Sequence, residues 1–310
     1  MNTKRSNMIT KKLIHLSLIL AASGSIFLSS CGESGGGHEE DTSPEISVND
    51  QDAQENPERR EAVKQIFYTI PSPMEMAALI RKSGADFDSS ILNPTEKSEE
   101  YTSVTKQALN LGVYGADLSY ASMFDQQQQS ILYLSAARGL AKKLNVEDAI
   151  DNNIIERVNE NRNNRDSLLT IVSDAYWSLN GYLKEGDREE VSALVIVGGW
   201  VEGLYLATSH VTADNKALSD RIAEQKYSLK DLLALVSSYE GAEELAGVKQ
   251  DLTEIQALFD QVEINKSKTE TSKDENGTMV IGGASTTTLS DATMESIKAK
   301  IQEVRNQYIQ

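Results

Sequence analysis

The chain has 310 residues and carries 47 acidic against 30 basic side chains, a formal net charge of −17. That balance argues against a nucleic-acid partner and against adhesion of the protein surface to anionic lipid. A single cysteine, Cys31, leaves no intrachain disulfide, no second thiolate and no cysteine-based metal cluster for the rest of the chain to use.

The first thirty residues open with Lys4, Arg5, Lys11 and Lys12 and continue into the apolar run Leu13 to Leu28. Positive charge followed by such a run predicts a secretory signal over 1–30, and the run is too short and too interrupted by polar residues for a comfortable membrane span. It ends in Leu28-Ser29-Ser30-Cys31-Gly32, which resembles the lipobox of bacterial lipoproteins. The resemblance implies diacylation of the Cys31 sulfur and membrane attachment through the acyl chains. Cleavage would leave about 280 residues, with 26 basic against 47 acidic side chains, enough to bury a core in one or two domains.

Residues 31–55 are predicted to be an acidic, flexible tether. Between Gly32 and Pro57 there are eight acidic residues and no Lys or Arg, with Gly35-Gly36-Gly37 and scattered Ser and Pro. Such a segment repels itself and spans roughly 25 to 30 Å root-mean-square. His38-Glu39-Glu40-Asp41 resembles the acidic signals that send some lipoproteins of Bacteroidota-type bacteria to the cell surface, and Gly32 directly after the cysteine resembles the outer-membrane sorting pattern. Both imply an outer-membrane lipoprotein, on its periplasmic or cell-surface face.

Residues 56–310 are expected to form an all-α, multi-helix bundle with a small β-hairpin before the C-terminal helix. Asn56-Pro57 places a first helix toward Tyr68, and Ser72-Pro73-Met74-Glu75 is a capping box that starts a second, ending at Gly84. Asn93-Pro94-Thr95-Glu96 repeats the signal and predicts one long helix to Phe124, and Asp125 is placed as the cap of the next, through Leu144. Helical spacing resumes at Ile154, Ile155 and Val158, breaks over 159–166, and returns with Leu168, Val172, Ala175 and Leu179. The stretch Asp187 to His210 predicts the central helix: Asp187 and Glu190 have N-cap and N3 spacing, and the apolar residues from Val191 to Ala207 surround the axis. A helix or pair follows from Ala213 to Tyr239, with a restart at Ser228 and Asp231. Amphipathic helices are predicted over 242–262 and after Ser290, where Leu289 and Met294 form a hydrophobic staple. Between them, strands are expected over 266–271 and 278–281, turning at Asn276-Gly277.

Catalytic and metal motifs are sparse. Beyond the signal only His38 and His210 remain, and no phosphate loop, zinc-protease helix, EF-hand loop or nucleophile elbow is found. Ser103-Val-Thr-Lys106 fits a Ser-x-x-Lys pattern, and Ser178-Leu-Asn180 loosely fits its usual second motif, but the third fails because Lys268-Thr269 is followed by Glu270. No catalytic residue, cofactor or metal is therefore predicted, and the chain is read as not an enzyme.

What stands out is charge within apolar helices: Asp117, Asp174 and Glu202. A buried carboxylate needs a cation, a donor, a metal or a ligand beside it. Arg138 is the expected internal partner. The alternative is that the three acids converge with Tyr120, Trp177 and Trp200 on a small-molecule or ion site between helices. Gly198, Gly199 and Gly203 predict close approach of a neighbouring helix, with Gly112 and Gly115 as the facing residues.

Tyr68-Thr-Ile-Pro-Ser-Pro-Met-Glu75, Ser83-Gly-Ala85, Ile91-Leu-Asn-Pro94, Ala108 through Ala121, and the Gly282-Gly283 to Ser290 region resemble an uncharacterised family of helical lipoproteins from Bacteroidota-type bacteria. The likeness implies export, lipidation and one continuous folded unit, and carries no catalytic residue. The function expected from all of this is a membrane-anchored, non-catalytic binding or scaffold component with an envelope protein partner.

Overall fold

The computed structural model describes residues 73–310 except 150, 151, 162, 163, 187, 213, 240, 241, 267–269, 274–278 and 283–284. The signal, Cys31, the tether and the helix expected over 56–68 lie outside the described residues. The described ones belong to one contact unit, Gln54–Gln310.

The architecture is the expected one: helices packed on helices, with an antiparallel β-hairpin before the last. Helix α1 (Pro73–Lys82) begins at its proline and ends ahead of Gly84, whose φ of 83° takes the chain out of the helix. Short 3-10 turns at Ser89–Ile91 and Thr95–Glu99 follow. The long helix expected from Asn93 is therefore two elements. Pro94 starts only the second turn, and α2 (Val104–Met123) begins at Ser103, whose side chain accepts from the Lys106 amide. Asp125 does not cap the next helix. It adopts φ 59° in the left-handed turn after α2, while its carboxylate pairs with Arg81 at 2.8 Å, and α3 (Gln127–Lys143) starts behind Gln126.

Two helices meet at the polar break: α4 (Asn152–Glu160) and α5 (Arg165–Glu185), the second begun by Asn164, whose Oδ1 accepts from the Ser167 amide. Helix α6 (Glu189–His210) follows; Asp187, its expected cap, lies outside the described residues, and the residue before the helix, Arg188, makes no side-chain cap. Helix α7 (Lys216–Ser237), capped by Asn215, runs through Ser228 and Asp231 without the expected restart. Helix α8 (Glu243–Phe259) buries Leu245, Val248, Leu252, Ile255 and Phe259, and α9 (Asp291–Tyr308), capped by Ser290, buries Met294, Ile297, Ile301, Val304 and Tyr308. These are the predicted three-four stripes.

The hairpin holds two nested ladders. Strand β1 (Glu263–Lys266) pairs with β4 (Ser285–Thr288), and β2 (Glu270–Lys273) pairs with β3 (Met279–Gly282). Three residues separate β1 from β2 and two separate β3 from β4, so the register shifts by one residue between the ladders. The first expected strand, 266–271, merged the end of β1 with the start of β2, and the second, 278–281, overlaps β3 alone. The expected Asn276-Gly277 turn lies outside the described residues.

The interior is organised around two helices. From Val191 to Thr208, α6 is buried on all sides except at Tyr205, as its continuous apolar sequence demands. By length and composition it could cross a bilayer, but its apolar surface is enclosed by the bundle. Its partner is α2, also buried around most of its circumference. Gly112 lies against Val195 and Gly199, Gly198 against Leu109, and Tyr120 against His210, so the pair runs in the same direction. At these crossings backbone meets backbone, which only glycine permits. Gly115 does not take part: a side-chain carbon there would meet nothing within 4 Å. Around this pair, α1 and α5 pack on both helices, α3 on α2, α7 and α9 on α6, and α8 on α7 and α9.

Candidate functional site

Glu202 lies on the buried side of α6, fully out of solvent, and its partner comes from the other end of the chain. The apolar stripe of α9 that carries Ile301 and Tyr308 also carries Arg305, four residues after the first and three before the second, so docking that stripe drives the guanidinium into the core. Arg305 Nε donates to Glu202 Oε2 at 2.8 Å and Nη2 donates to Oε1 at 3.0 Å. Nη2 also reaches the Ile91 carbonyl at 3.0 Å, and the guanidinium lies 4.3 Å from the centre of the Tyr205 ring. The two-pronged geometry suits arginine, and it ties α9 to α6 and to the 3-10 segment before α2.

Asp117, one helix away on α2, is equally buried. Its Oδ2 accepts from the Asn93 amide at 3.1 Å, and it lies close enough to Glu202 for that charge to act on it. Burial, and then the neighbouring Glu202 charge, hold this carboxyl well above the usual range; Arg305 and the Asn93 amide pull the other way and do not offset them. A polar layer continues outward. Asn93 Nδ2 donates to Tyr101 Oη at 3.1 Å and to Asn110 Oδ1 at 3.3 Å, while Tyr114 Oη donates to the Pro94 carbonyl at 2.8 Å.

The same layer receives the end of α9. Asn110 Nδ2 donates to the Tyr308 carbonyl at 2.8 Å, and Tyr101 Oη and Lys97 Nζ donate to the Ile309 carbonyl at 3.2 and 3.1 Å. Lys106 Nζ donates to the Gln307 carbonyl. Carbonyls that a helix end leaves without intrahelical partners are thus satisfied by side chains about two hundred residues earlier in the chain.

Of the other predicted residues, Asp174, Arg138, Trp200 and Tyr120 do not join this cluster. Asp174 is exposed on α5 and pairs with Arg157 of α4 at 2.8 Å. Arg138 is exposed on α3, so the partner of Glu202 is Arg305 rather than Arg138. Trp200 is buried and its Nε1 donates to Gln225 Oε1 of α7 at 3.3 Å; Trp177 belongs to α5. Tyr120 sits farther along α2, where its hydroxyl is 2.8 Å from His210 Nε2 and accepts from the Asp88 amide at 3.0 Å. Phe87, Phe124 and His210 pack on its ring, and burial pushes its phenol up to about 12. Ser103 and Lys106 are joined as cap and capped amide, which accounts for the Ser-x-x-Lys pattern without chemistry.

Of the seven residues singled out, Asp117 and Glu202 come together, and Arg305, Asn93, Asn110 and Tyr101 complete the cluster. Among the described residues no group of three or more His, Cys, Asp or Glu side chains is placed to hold a metal ion. The arrangement can bind a proton and hold three segments together. No protein family, curated protein or solved structure matches the chain.

Proposed function

We propose that the chain is a lipoprotein anchored in the outer membrane by acyl chains on Cys31, and that its helical unit is a non-catalytic binding or scaffold component of the cell envelope. The observation that carries the anchoring is the order of a basic region, an apolar run and Ser29-Ser30-Cys31-Gly32 ahead of an acidic, Gly-rich tether. The scaffold reading draws support from how the interior charges are used. Glu202 commits both oxygens to Arg305, and Asp174 stands on the surface with Arg157, so the three acids that would have framed a ligand seat do not meet. The resemblance to helical lipoproteins points to export and lipidation as well.

Native extraction from membranes, chemical crosslinking and intact mass measurement test both halves at once. The expected product carries acyl chains on Cys31 and crosslinks to an envelope protein. Recovery of an unacylated monomer with neither partner nor ligand would overturn the proposal. A retained small molecule would favour the alternative of a ligand within the bundle.

A further inference from the structure

Two carboxyl groups and one guanidinium meet where α2, α6 and α9 join, and the charges do not balance if both acids are ionised. Asp117 and Glu202 are fully buried and Arg305 nearly so. Arg305 directs Nε and Nη2 at Glu202 and shares Nη2 with the Ile91 carbonyl. Asp117 Oδ2 takes the Asn93 amide, but the buried Oδ1 receives no N–H or O–H donor among the described residues, and Glu202 is close enough to act on the carboxyl's charge. A buried carboxyl oxygen without a donor, beside a carboxylate, is satisfied chemically by carrying a proton and donating it. The same proton removes the surplus negative charge from an interior that tolerates none unpaired.

We infer that Asp117 and Glu202 form a proton-binding site, Asp117 carrying the proton and donating it to Glu202, so that the α2–α6–α9 junction weakens when the proton is lost. The surrounding groups offer no substitute. Tyr133 from α3, Tyr114 from α2, Tyr205 from α6 and Tyr101 from the segment before α2 all have phenols pushed up by burial, and they remain neutral. Glu96 and Glu100, which act on Tyr133 and Tyr101, add charge of the same sign as the acids. Among the described residues Arg305 is the cation that acts on Asp117, and Glu202 already holds it.

The direction of the pH effect follows. Asp117 binds its proton more tightly in the folded chain than its ordinary value of 3.8 allows in the unfolded one. Its contribution to stability is therefore complete below that value and declines as the pH rises toward the folded value. Asp117→Asn reproduces the protonated acid, because the amide nitrogen can donate to Glu202 while its oxygen accepts from Asn93.

The test is thermal melting of wild type and Asp117→Asn from about pH 4 to about pH 9, together with infrared spectra of protein carrying carbon-13 at the aspartate carboxyls. The wild type should lose melting temperature relative to the variant as the pH rises. Its neutral-pH spectrum should contain a protonated-carboxyl stretch that shifts with the label and is missing from Asp117→Asn. Among the described residues Asp251, half-buried near Tyr308, is the other aspartate raised by burial, so Asp251→Asn serves as the second variant and should keep the band. If Asp117→Asn does not fold, survival of the band in Asp251→Asn supports the inference and its loss overturns it. Parallel melting profiles in wild type and Asp117→Asn, or folded wild type without a protonated aspartate, would also overturn it.

Discussion

Removing one member of the Glu202–Arg305 pair leaves the other charge buried, and that asymmetry separates this pair from the other ion pairs among the described residues. Arg305→Met keeps a long side chain in the core but strands two acids without a cation. It should destabilise the protein by about 3–5 kcal/mol in urea unfolding. Asp174→Asn breaks a pair that is exposed on both sides and should change stability by less than about 1 kcal/mol. Equal effects for the two substitutions would mean that burial is not what gives the core pair its weight. At this scale the sequence was half legible. Glu202 and Asp117 announced themselves as acids amid apolar residues. Arg305 did not, because a long cationic side chain beside Lys298 and Lys300 on an amphipathic helix reads as part of the solvated face. The available signal was its position between Ile301 and Tyr308 on the apolar stripe. Asp174 misled for the opposite reason: its neighbours along the chain are apolar, but its own direction from the helix is outward.

Among the elements, the α2–α6 contact depends on glycines that are not interchangeable. A side-chain carbon at Gly112 would overlap the Val195 carbonyl and stand 2.6 Å from the Gly199 nitrogen, and one at Gly198 would overlap the Leu109 carbonyl. Gly112→Ala and Gly198→Ala must force the helices apart and should each lose about 3 kcal/mol or more. Gly115→Ala, in open space, should instead gain about 0.5–1 kcal/mol from helix propensity. Melting curves of the three variants check the set, and a loss at Gly115 comparable to the others would show that the contact has been misplaced. The sequence revealed the apolar-all-round α6, the amphipathic α8 and α9, and the glycine contact, because each has a periodicity or a composition that one geometry explains. It was less informative about boundaries. Ser228 and Asp231 have the chemistry of a helix start but lie inside a continuous α7, and Asn93-Pro94 opens only a 3-10 turn while Ser103 starts α2. Ser and Asp can bond to nearby backbone at a cap or face outward within a helix, and local sequence does not distinguish these roles. The hairpin register was obscured for a related reason: the sequences Glu270-Thr-Ser-Lys273 and Ser285-Thr-Thr-Thr288 carry no apolar alternation to fix it.

Across the whole molecule, the feature that least resembles a local pattern is closure by the last helix. Helix α9 docks an apolar stripe on α6 and α8, sends Arg305 to Glu202, and has its final carbonyls held by Lys97, Tyr101, Lys106 and Asn110. The Glu202 contact spans 103 residues and the carbonyl contacts about two hundred, so α9 should be part of the same cooperative unit as the central helices. Sequence periodicity identified an amphipathic helix there but not its seat, since polar donors that satisfy a distant helix end leave no spacing signature. Native-state hydrogen exchange across a denaturant series measures this directly. The protected amides of α9 around Ile301 to Arg305 should open with the same free energy and denaturant dependence as those of α2 and α6. Exchange of α9 through a separate, lower-energy opening, with α2 and α6 still protected, would contradict the account.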